Sequence, residues 1–464
     1  MLAILLALTS AAAAPLAQPP TAPAAAENLW SLEATFSNAA EPLDFIYGYD
    51  VALADATIAV GARVSETLGV FVYDLVGGTW SEPAWIELPG AEYIDEVGLS
   101  GDDLLTIIAD NGIFSLSRSG DGWSAPSTVL ALDPFLSWET APVIGDQLMA
   151  LRDSGYSESC GHDVDRVLVF RRDGQTWAAD GELMEEGCPL PVRRTRALAV
   201  DDARLVRVRA IDTPEPGVPN GEAEIYERTG AATWTRTALI EATGDDPDDG
   251  FAAAAISGPK LALGSPAAQM SEGRVELFAE VAGAWVSAAT LLRPPDDSIT
   301  PQFGSSLALR DGILAVGAPY DGFTGEYRSG AVYLYNVVDA PVDEGVLRMI
   351  EPNTIFGATI ALRGARVLIG TGSFDEPDPH NAHVFTRSGG AATLCADDSG
   401  CASGTCVEGV CVPEEDDDSA TTGGADTDED GCGCTSGGST PVGALGLVVL
   451  VALARRRRGA DGCC

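Results

Sequence analysis

The chain offers few side chains that could hold a metal, and the best of them lie in one short stretch. Three histidines occur among the 464 residues. One of them, His380, follows Asp375, Glu376 and Asp378. Carboxylate and imidazole groups at this spacing could bind a divalent cation, but calcium prefers six to eight oxygen ligands and this stretch offers about three. We therefore expect neither a metal nor a cofactor. If a metal binds at all, these four residues are the weak candidates for its ligands.

Catalytic chemistry has equally little support. Cys160 and His162 could form a Cys–His nucleophile, but an exported cysteine with Cys188 nearby is more often half of a disulfide. A glycosidase needs two carboxylates ~5–10 Å apart in a cleft, and sequence alone does not show such a separation. A serine nucleophile has no support either, because no G-x-S-x-G motif occurs in a strand–turn–helix context. The sequence therefore predicts a non-enzymatic protein with no catalytic residue.

The elements that position these residues are β-strands in a repeat of about 50 residues, the spacing of propeller blades or solenoid units. The most complete copy, Phe303–Tyr335, has a Phe-Gly opening, an apolar run, Gly-Ala-Pro and a Gly-led aromatic strand. A tryptophan opens the fourth strand of most copies. Large rings that recur at one position favour packing between blades over an aromatic binding face. These residues are Trp80, Trp123, Trp177, Trp234 and Trp285.

The number of copies predicts how the fold closes. Seven copies of the first three strands can be aligned, and the seventh ends after Phe385 without its Trp strand. The missing strand is supplied by Leu29–Phe36 at the other end of the chain. We therefore predict an all-β fold: a seven-bladed β-propeller over residues 27–394, closed by its N-terminal strand. Such closure removes exposed sheet edges.

Two signatures in the most complete copy identify a family resemblance. Phe303-Gly304 and Gly317-Ala318-Pro319 resemble both halves of the FG-GAP repeat, found in integrin α-subunit propellers and in many bacterial surface proteins. Partial matches include Phe356-Gly357 and Val60-Gly61-Ala62. The resemblance implies a surface module that binds through its loops. It also implies calcium ligands in an alternating acidic loop pattern, but this chain lacks that pattern, so we do not transfer the calcium sites.

Charge and the N-terminus indicate an exported protein. The chain has 69 acidic and 27 basic residues, for a net charge of −42, which excludes a nucleic-acid partner because such a partner requires a basic footprint. An apolar run at Met1–Ala14, followed by the small residues Ala24–Ala26, predicts a signal peptide over residues 1–26. The ten cysteines are then expected to form disulfides.

Beyond the propeller, residues 395–412 are predicted to form a small Cys-rich module. Its cysteines are expected to form two disulfides whose pairing order the sequence leaves open. Zinc is the alternative, but thiolate zinc ligands usually come in C-x2-C pairs, which are absent. Residues 413–431 form an acidic linker that we expect to be disordered. The four cysteines of the module are Cys395, Cys401, Cys406 and Cys411.

The C-terminal segment 432–464 combines a cysteine pair, an apolar run at 441–454 and an arginine cluster. The run is shorter than the ~20 residues of an ordinary membrane-spanning helix, and positive charge is retained on the cytoplasmic side. This order resembles the myxobacterial-type C-terminal sorting signal, MYXO-CTERM. It implies cleavage by a sorting protease near the first cysteine, a lipid anchor, and a membrane-held hydrophobic helix before processing. The residues concerned are Cys432, Cys434, Arg455, Arg456, Arg457 and Arg458.

The sequence thus predicts a cell-surface or outer-membrane-associated propeller that acts as a binding or adhesion module. Its expected partner is an unidentified surface protein or glycan, because function in such folds concentrates on loops. Two alternatives stay open: a surface hydrolase or lyase that uses carboxylates on the propeller face, and a structural coat component.

Overall fold

The computed structural model describes most of the propeller and two short strands beyond it. The segments 1–26, 413–431 and 432–464, for which a signal peptide, a linker and a sorting signal were predicted, lie outside the described residues. Among the described residues, no helix is long and apolar enough to cross a membrane. The described residues are 29–37, 50–64, 67–120, 122–131, 142–157, 160, 162–184, 193–211, 221–242, 250–294, 300–322, 329–349, 354–371, 381–388, 405–407 and 410–412.

The described part begins with β1 (Trp30–Ser37), which belongs to the last blade, and continues into two blades whose outer strand is interrupted. Pro83 and Pro126 mark the interruptions, because proline cannot donate a ladder hydrogen bond. Blade one comprises β2 (Val51–Leu53), β3 (Thr57–Val64), β4 (Thr67–Val76), β5 (Thr79–Trp80) and β6 (Ala84–Glu87). Blade two comprises β7 (Ile94–Leu99), β8 (Leu104–Ala109), β9 (Gly112–Ser119), β10 (Gly122–Trp123) and β11 (Ser127–Ala131).

Blades three to six are four-stranded antiparallel sheets. Blade three comprises β12 (Val143–Ile144), β13 (Leu148–Ser157), β14 (His162–Asp173) and β15 (Thr176–Met184). Blade four comprises β16 (Arg193–Val200), β17 (Arg204–Ile211), β18 (Glu222–Gly230) and β19 (Thr233–Glu241). Blade five comprises β20 (Ala253–Ser257), β21 (Lys260–Ser265), a short segment α1 (Ala268–Ser271), β22 (Arg274–Val281) and β23 (Ala284–Leu292). Blade six comprises β24 (Ser306–Arg310), β25 (Ile313–Ala318), β26 (Ala331–Asn336) and β27 (Val342–Arg348).

Blade seven confirms the predicted closure. It contains β28 (Thr359–Arg363), β29 (Arg366–Gly370) and β30 (Asn381–Arg387), and its outer strand is β1. The pairing of β1 with β30 is antiparallel and places Trp30 opposite Arg387. The innermost strands β2, β7, β12, β16, β20, β24 and β28 contact one another in that order, and β28 contacts β2. The chain therefore folds as a closed, all-β, seven-bladed propeller. A separate hairpin pairs β31 (Thr405–Val407) with β32 (Val410–Val412).

The recurring tryptophans pack each blade against the preceding one, as predicted. Trp177 of blade three is buried in a cluster with Leu104 and Ile108 of blade two, and its indole N–H donates to Thr106 at 2.8 Å. The N-terminal Trp30 does the same for blade seven, where its N–H donates to the carboxylate of Glu344 in blade six at 3.1 Å. These indoles combine a large apolar surface with one polar contact, which explains their recurrence at this position.

The two ends of the ring have different connections. At one end, which we call the turn face, tight turns join the first and second strands of each blade. At the other end, the loop face, lie the connections between the second and third strands and between successive blades. Most of these are longer, although residues 65–66 and 110–111 join the second and third strands of blades one and two by two residues each. The turn-face turns are residues 54–56, 100–103, 145–147, 201–203, 258–259, 311–312 and 364–365. The longer loop-face connections include residues 212–221, 242–252, 293–305, 319–330 and 371–380.

Candidate functional site

The turn face is closed across the ring by an ion-pair cluster that draws on four blades. Asp146 of blade three accepts hydrogen bonds from Arg310 of blade six at 2.5 Å and from Arg363 of blade seven at 2.7 Å. Arg363 also donates to Asp55 of blade one at 2.7 Å. All four side chains lie at turn-face hairpins, so the innermost strands bring them together. The cluster therefore links blades that are far apart in sequence.

The electrostatics of this cluster fit a permanent structural contact. Burial alone would raise the pKa of Asp146, but the hydrogen bonds from Arg310 and Arg363 outweigh it and lower that pKa below its usual value. The hydrogen bond from Arg363 likewise lowers the pKa of Asp55. Every member is therefore charged and paired at neutral pH. Because its charges are satisfied internally, this cluster offers little to a charged ligand.

A different carboxylate group lies near the loop face, where the innermost strands begin. Asp50 directly precedes β2, is buried, and accepts hydrogen bonds from the backbone N–H groups of Val51 and Val97. Burial raises the pKa of Asp50 to about 8, and the nearby charge of Asp95 adds to the shift. Burial, followed by the charges of Asp50 and Asp95, also raises the pKa of Glu96. Two carboxyl groups on adjacent central strands thus favour the protonated state, an arrangement that general acid–base chemistry uses.

The loop that follows Gly-Ala-Pro in blade six turns its carboxylate inward. Asp321 is buried and accepts hydrogen bonds from the hydroxyl of Tyr333 at 2.5 Å and from Arg348 at 3.0 Å. The guanidinium of Arg293 lies 3.8 Å from the same carboxylate. In FG-GAP repeats the resemblance implies calcium ligands in this loop. Among the described residues of this loop, arginine side chains already supply the positive charge beside Asp321, so its carboxylate does not fit the role of a calcium ligand.

The loop face also carries a strained, exposed turn in blade five. Gln269, Met270 and Ser271 have positive φ angles of 56°, 62° and 69°, a conformation that costs residues other than glycine about 1–3 kcal/mol each. Met270 is 91% exposed. Met270 is therefore an apolar side chain that a strained turn presents to solvent on the loop face.

The predicted metal candidates Asp375, Glu376, Asp378 and His380 lie outside the described residues, so their role stays a prediction. The neighbouring His383 is described and belongs to the core. It is buried beside Phe356, its ring nitrogen is 3.0 Å from the Thr35 hydroxyl, and burial lowers its pKa to about 4. Among the described residues, no group of three or more His, Cys, Asp or Glu side chains could hold a metal ion.

The described residues include some of the cysteines for which disulfides were predicted. Cys160 is disulfide-bonded, whereas its predicted partner Cys188 lies outside the described residues, so that pairing stays a prediction. Cys406 and Cys411 are directly opposite each other in the hairpin of β31 and β32. The remaining cysteines of the predicted module and tail, and the arginine cluster, lie outside the described residues. They are Cys395, Cys401, Cys432, Cys434, Cys463 and Cys464, and Arg455, Arg456, Arg457 and Arg458.

Sequence reasoning missed the turn-face cluster and the carboxyl pair. Asp55 and Asp146 occupy corresponding turns of different blades, and Arg310 and Arg363 end corresponding strands. Alignment of the repeats by strand position would have revealed a charged residue at each of these turns. Asp50 and Glu96 could not be found in this way, because their burial depends on how blades one and two meet.

Comparison with known proteins supports the repeat. Residues 285–335 match the family described as FG-GAP repeat, which spans the outer strand of blade five and the first three strands of blade six. A search of curated proteins found no match. Solved structures with a similar shape include the WD40 domain of Toxoplasma gondii coronin, with 9% identity, 77% of this chain and 87% of that chain covered, and a TM-score of 0.48.

Two lyases have a similar overall shape. An oligogalacturonate lyase in complex with manganese is 10% identical, with 77% of this chain and 96% of that chain covered and a TM-score of 0.43. The polysaccharide lyase Uly1 is also 10% identical, with 73% and 90% covered and a TM-score of 0.45. At these identities and TM-scores, neither bears on the chemistry of this chain.

Proposed function

We propose that this chain is a cell-surface-anchored propeller that acts as a non-enzymatic binding or adhesion module, with its loop face as the contact surface. The observation that carries the proposal is the difference between the two ends of the ring. Asp146, Arg310, Arg363 and Asp55 satisfy one another's charges at the turn face. The loop face has the longer connections and the exposed Met270, and ligands of propellers usually meet such loop-bearing faces.

The charge of the loop-face connections indicates which partner surfaces fit. The connection 242–252 contains Asp245, Asp246, Asp248 and Asp249, and the connection 293–305 contains Asp296 and Asp297. Connections this rich in aspartate attract basic protein surfaces and glycans with positively charged groups, and they repel nucleic acids and acidic polymers. Binding is therefore expected to weaken as the salt concentration rises, because exposed charges are screened.

An array of surface proteins and glycans, probed with the full chain and two variants, tests the contact surface. Met270→Asp changes the loop face of blade five, and Val281→Asp changes an exposed aliphatic residue beside the turn 282–283 of the same blade. Loss of array binding in the Met270 variant, with binding retained in the Val281 variant, supports the loop face. Equal loss in both variants, or loss in the Val281 variant alone, contradicts it.

The anchoring part of the proposal rests on the segment 432–464, with its cysteine pair, apolar run and arginine cluster. A single acyl chain gives only marginal membrane binding, so durable retention needs a second lipid or a second contact. Mass spectrometry of the protein from intact cells is expected to find a modified C-terminus near Cys432 and no Arg455–Arg458. Recovery of the chain through Cys464 as the main surface form would contradict processing.

A specific observation favours one second candidate function. Asp50 and Glu96 are two interacting carboxyl groups with raised pKa values on adjacent central strands. A hydrolase or lyase that uses carboxylates would need a proton-holding pair of this kind. This candidate ranks second because Asp50 is buried and both of its oxygens accept backbone hydrogen bonds.

A further inference from the structure

The outer strand of blade five differs from the outer strands of all other blades. In β23 the nine residues AWVSAATLL include no charged residue, no proline and no glycine. The outer strands of blades one and two are interrupted by Pro83 and Pro126. The others carry charges within the strand: Glu33 in β1, Asp180 and Glu182 in β15, Arg236 and Glu241 in β19, and Asp343, Glu344 and Arg348 in β27.

Charges and prolines on edge strands are the devices by which proteins prevent one sheet edge from pairing with another. In β23 the inner backbone groups pair with β22 from Arg274↔Leu292 to Val281↔Ala284. Among the described residues, no strand pairs with the outer side of β23, and no side chain or loop hydrogen-bonds to it. Val286 and Leu292 are 44% and 51% exposed on the strand. The edge thus carries no charge and no proline of its own, and the bulge at Ala288 is its one protective irregularity.

Blade four provides a close reference for this strand. β19 and β23 have the same length and the same pattern of exposed and buried positions along the strand. At matched positions β19 carries Arg236 where β23 has Ser287, and Glu241 where β23 has Leu292. Two neighbouring strands in the same structural setting therefore differ in their charge. The absence of charge in β23 is thus not required by the blade itself.

We propose that β23 is a self-association surface, where the edge strand of a second copy of this chain adds in the antiparallel direction. The charge of the chain favours this occupant. Two copies that each carry a net charge of −42 repel each other, and like charges directly opposite on paired strands are destabilising. An uncharged strand is the place where such copies can pair. A basic partner would gain more from an acidic edge.

Two-fold symmetry fits this edge. An isologous dimer presents the same patch from both copies, and a two-fold axis pairs a strand with itself in the antiparallel direction. The ladder between β22 and β23 is interrupted at Ala288 of β23, which lies between the pairs Leu277↔Ala289 and Phe278↔Ser287. An added strand therefore pairs with β23 on either side of Ala288. Such a contact is small. It is reinforced where many copies are held on one surface, because tethering raises their effective concentration.

The proposal does not depend on what the loop face binds, so the two can fail separately. Sedimentation velocity of the full chain over a concentration series, from about 1 to 100 µM, is expected to show a monomer–dimer equilibrium because weak interfaces populate dimers in this range. The Val286→Glu variant is expected to raise the dimer dissociation constant at least about tenfold, because it places a carboxylate from each copy in an otherwise uncharged strand pairing.

The matched control is Leu239→Glu in β19, which replaces an aliphatic side chain with the same 44% exposure on the neighbouring outer strand. This variant is expected to dimerise like the parent. Far-UV circular dichroism and thermal unfolding of both variants verify that the blades stay folded. A parent chain that is monomeric throughout the series would overturn the proposal, and so would equal dissociation constants for the two variants.

Discussion

The interfaces between blades five, six and seven differ sharply from the interface between blades three and four. Around blade six, backbone meets backbone. Phe303 and Phe356 are fully buried, and Gly273 and Gly330 form parallel bridges with them across the blade boundaries. A Cβ atom on Gly330 would lie 2.2 Å from the carbonyl oxygen of Phe356. These contacts require glycine, because any side chain would separate the blades.

Between blades three and four, charges replace this close backbone contact. Asp165 of blade three is buried and accepts hydrogen bonds from Arg152 at 2.6 Å and from Arg207 of blade four at 2.8 Å. Thr195 of blade four donates to the same carboxylate through its N–H at 2.7 Å and its hydroxyl at 2.6 Å. Burial opposes ionisation, but the charge of Arg207 and these hydrogen bonds lower the pKa of Asp165.

The comparison explains why the repeat is recognisable only in part of the ring. A backbone contact fixes residue type, since only glycine fits, and it therefore leaves a sequence signature. A charged network requires that each acid is paired with a base, but it does not require one residue type at each position. Several combinations of acidic and basic residues can therefore satisfy it. The match to the FG-GAP repeat accordingly covers residues 285–335, whereas blades three and four keep the strand order without the signature.

The largest expected effect comes from a substitution that breaks the charged interface between blades three and four. Asp165→Ala leaves the buried guanidinium of Arg207 without its hydrogen-bonded carboxylate, since Glu224 lies 3.9 Å away, and this costs about 3–5 kcal/mol of unfolding free energy. Its neighbour Arg166 provides the control, because the Arg166–Asp153 pair is partly exposed and such surface pairs contribute about 0–1 kcal/mol. Chemical denaturation of Asp165→Ala and Arg166→Ala measures both. Similar losses for the two variants would show that the network does not hold the blades together.

The next effect concerns the glycine interface. In Gly317→Ala the new Cβ would lie 2.0 Å from the Ser306 hydroxyl and 2.3 Å from the Gly357 carbonyl of the next blade. Such overpacking is expected to cost about 1–3 kcal/mol. Gly122 has open space around it and an ordinary φ angle, so Gly122→Ala is expected to be nearly neutral. Equal melting temperatures for the two variants would mean that the blades can move apart at no cost.

A separate effect is expected from pH, and it tests the interface of blades one and two. The raised pKa of Asp50, about 8, means that the folded chain keeps a proton that the unfolded chain releases above about pH 4. The unfolding free energy therefore falls as pH rises from about 4 to 8. Asp50→Asn should reduce this slope in denaturation curves measured at several pH values. An unchanged slope would indicate that Asp50 is ionised in the folded chain.

The smallest expected effect is that of calcium. Asp321 is already held by Tyr333 and Arg348, so a chelator is expected to leave the melting temperature of the full chain nearly unchanged. A drop of more than a few degrees on chelation, reversed by added calcium, would place a metal in the loop-face connections and contradict this expectation.

Much of the fold was accessible from the sequence, because strand alternation, recurring tryptophans and a displaced Trp strand are local patterns. Trp30 predicted the closure that its pairing with β30 confirms. The polar clusters were not accessible in the same way. Asp146 meets Arg310 and Arg363 only because the ring brings distant blades together. The raised pKa of Asp50 depends on burial, which the sequence does not reveal.

The most direct test of the proposed function asks whether the full chain retains its ligand or converts it. The chain is incubated with the glycans and proteins that it retains on an array, and mass spectrometry searches for new products over time. For a binding module we expect the ligand to be retained stably, no product to form, and the Asp50→Asn variant to retain the ligand equally well. Product formation that disappears in the Asp50→Asn variant would contradict it, and would assign the chain to the hydrolases or lyases.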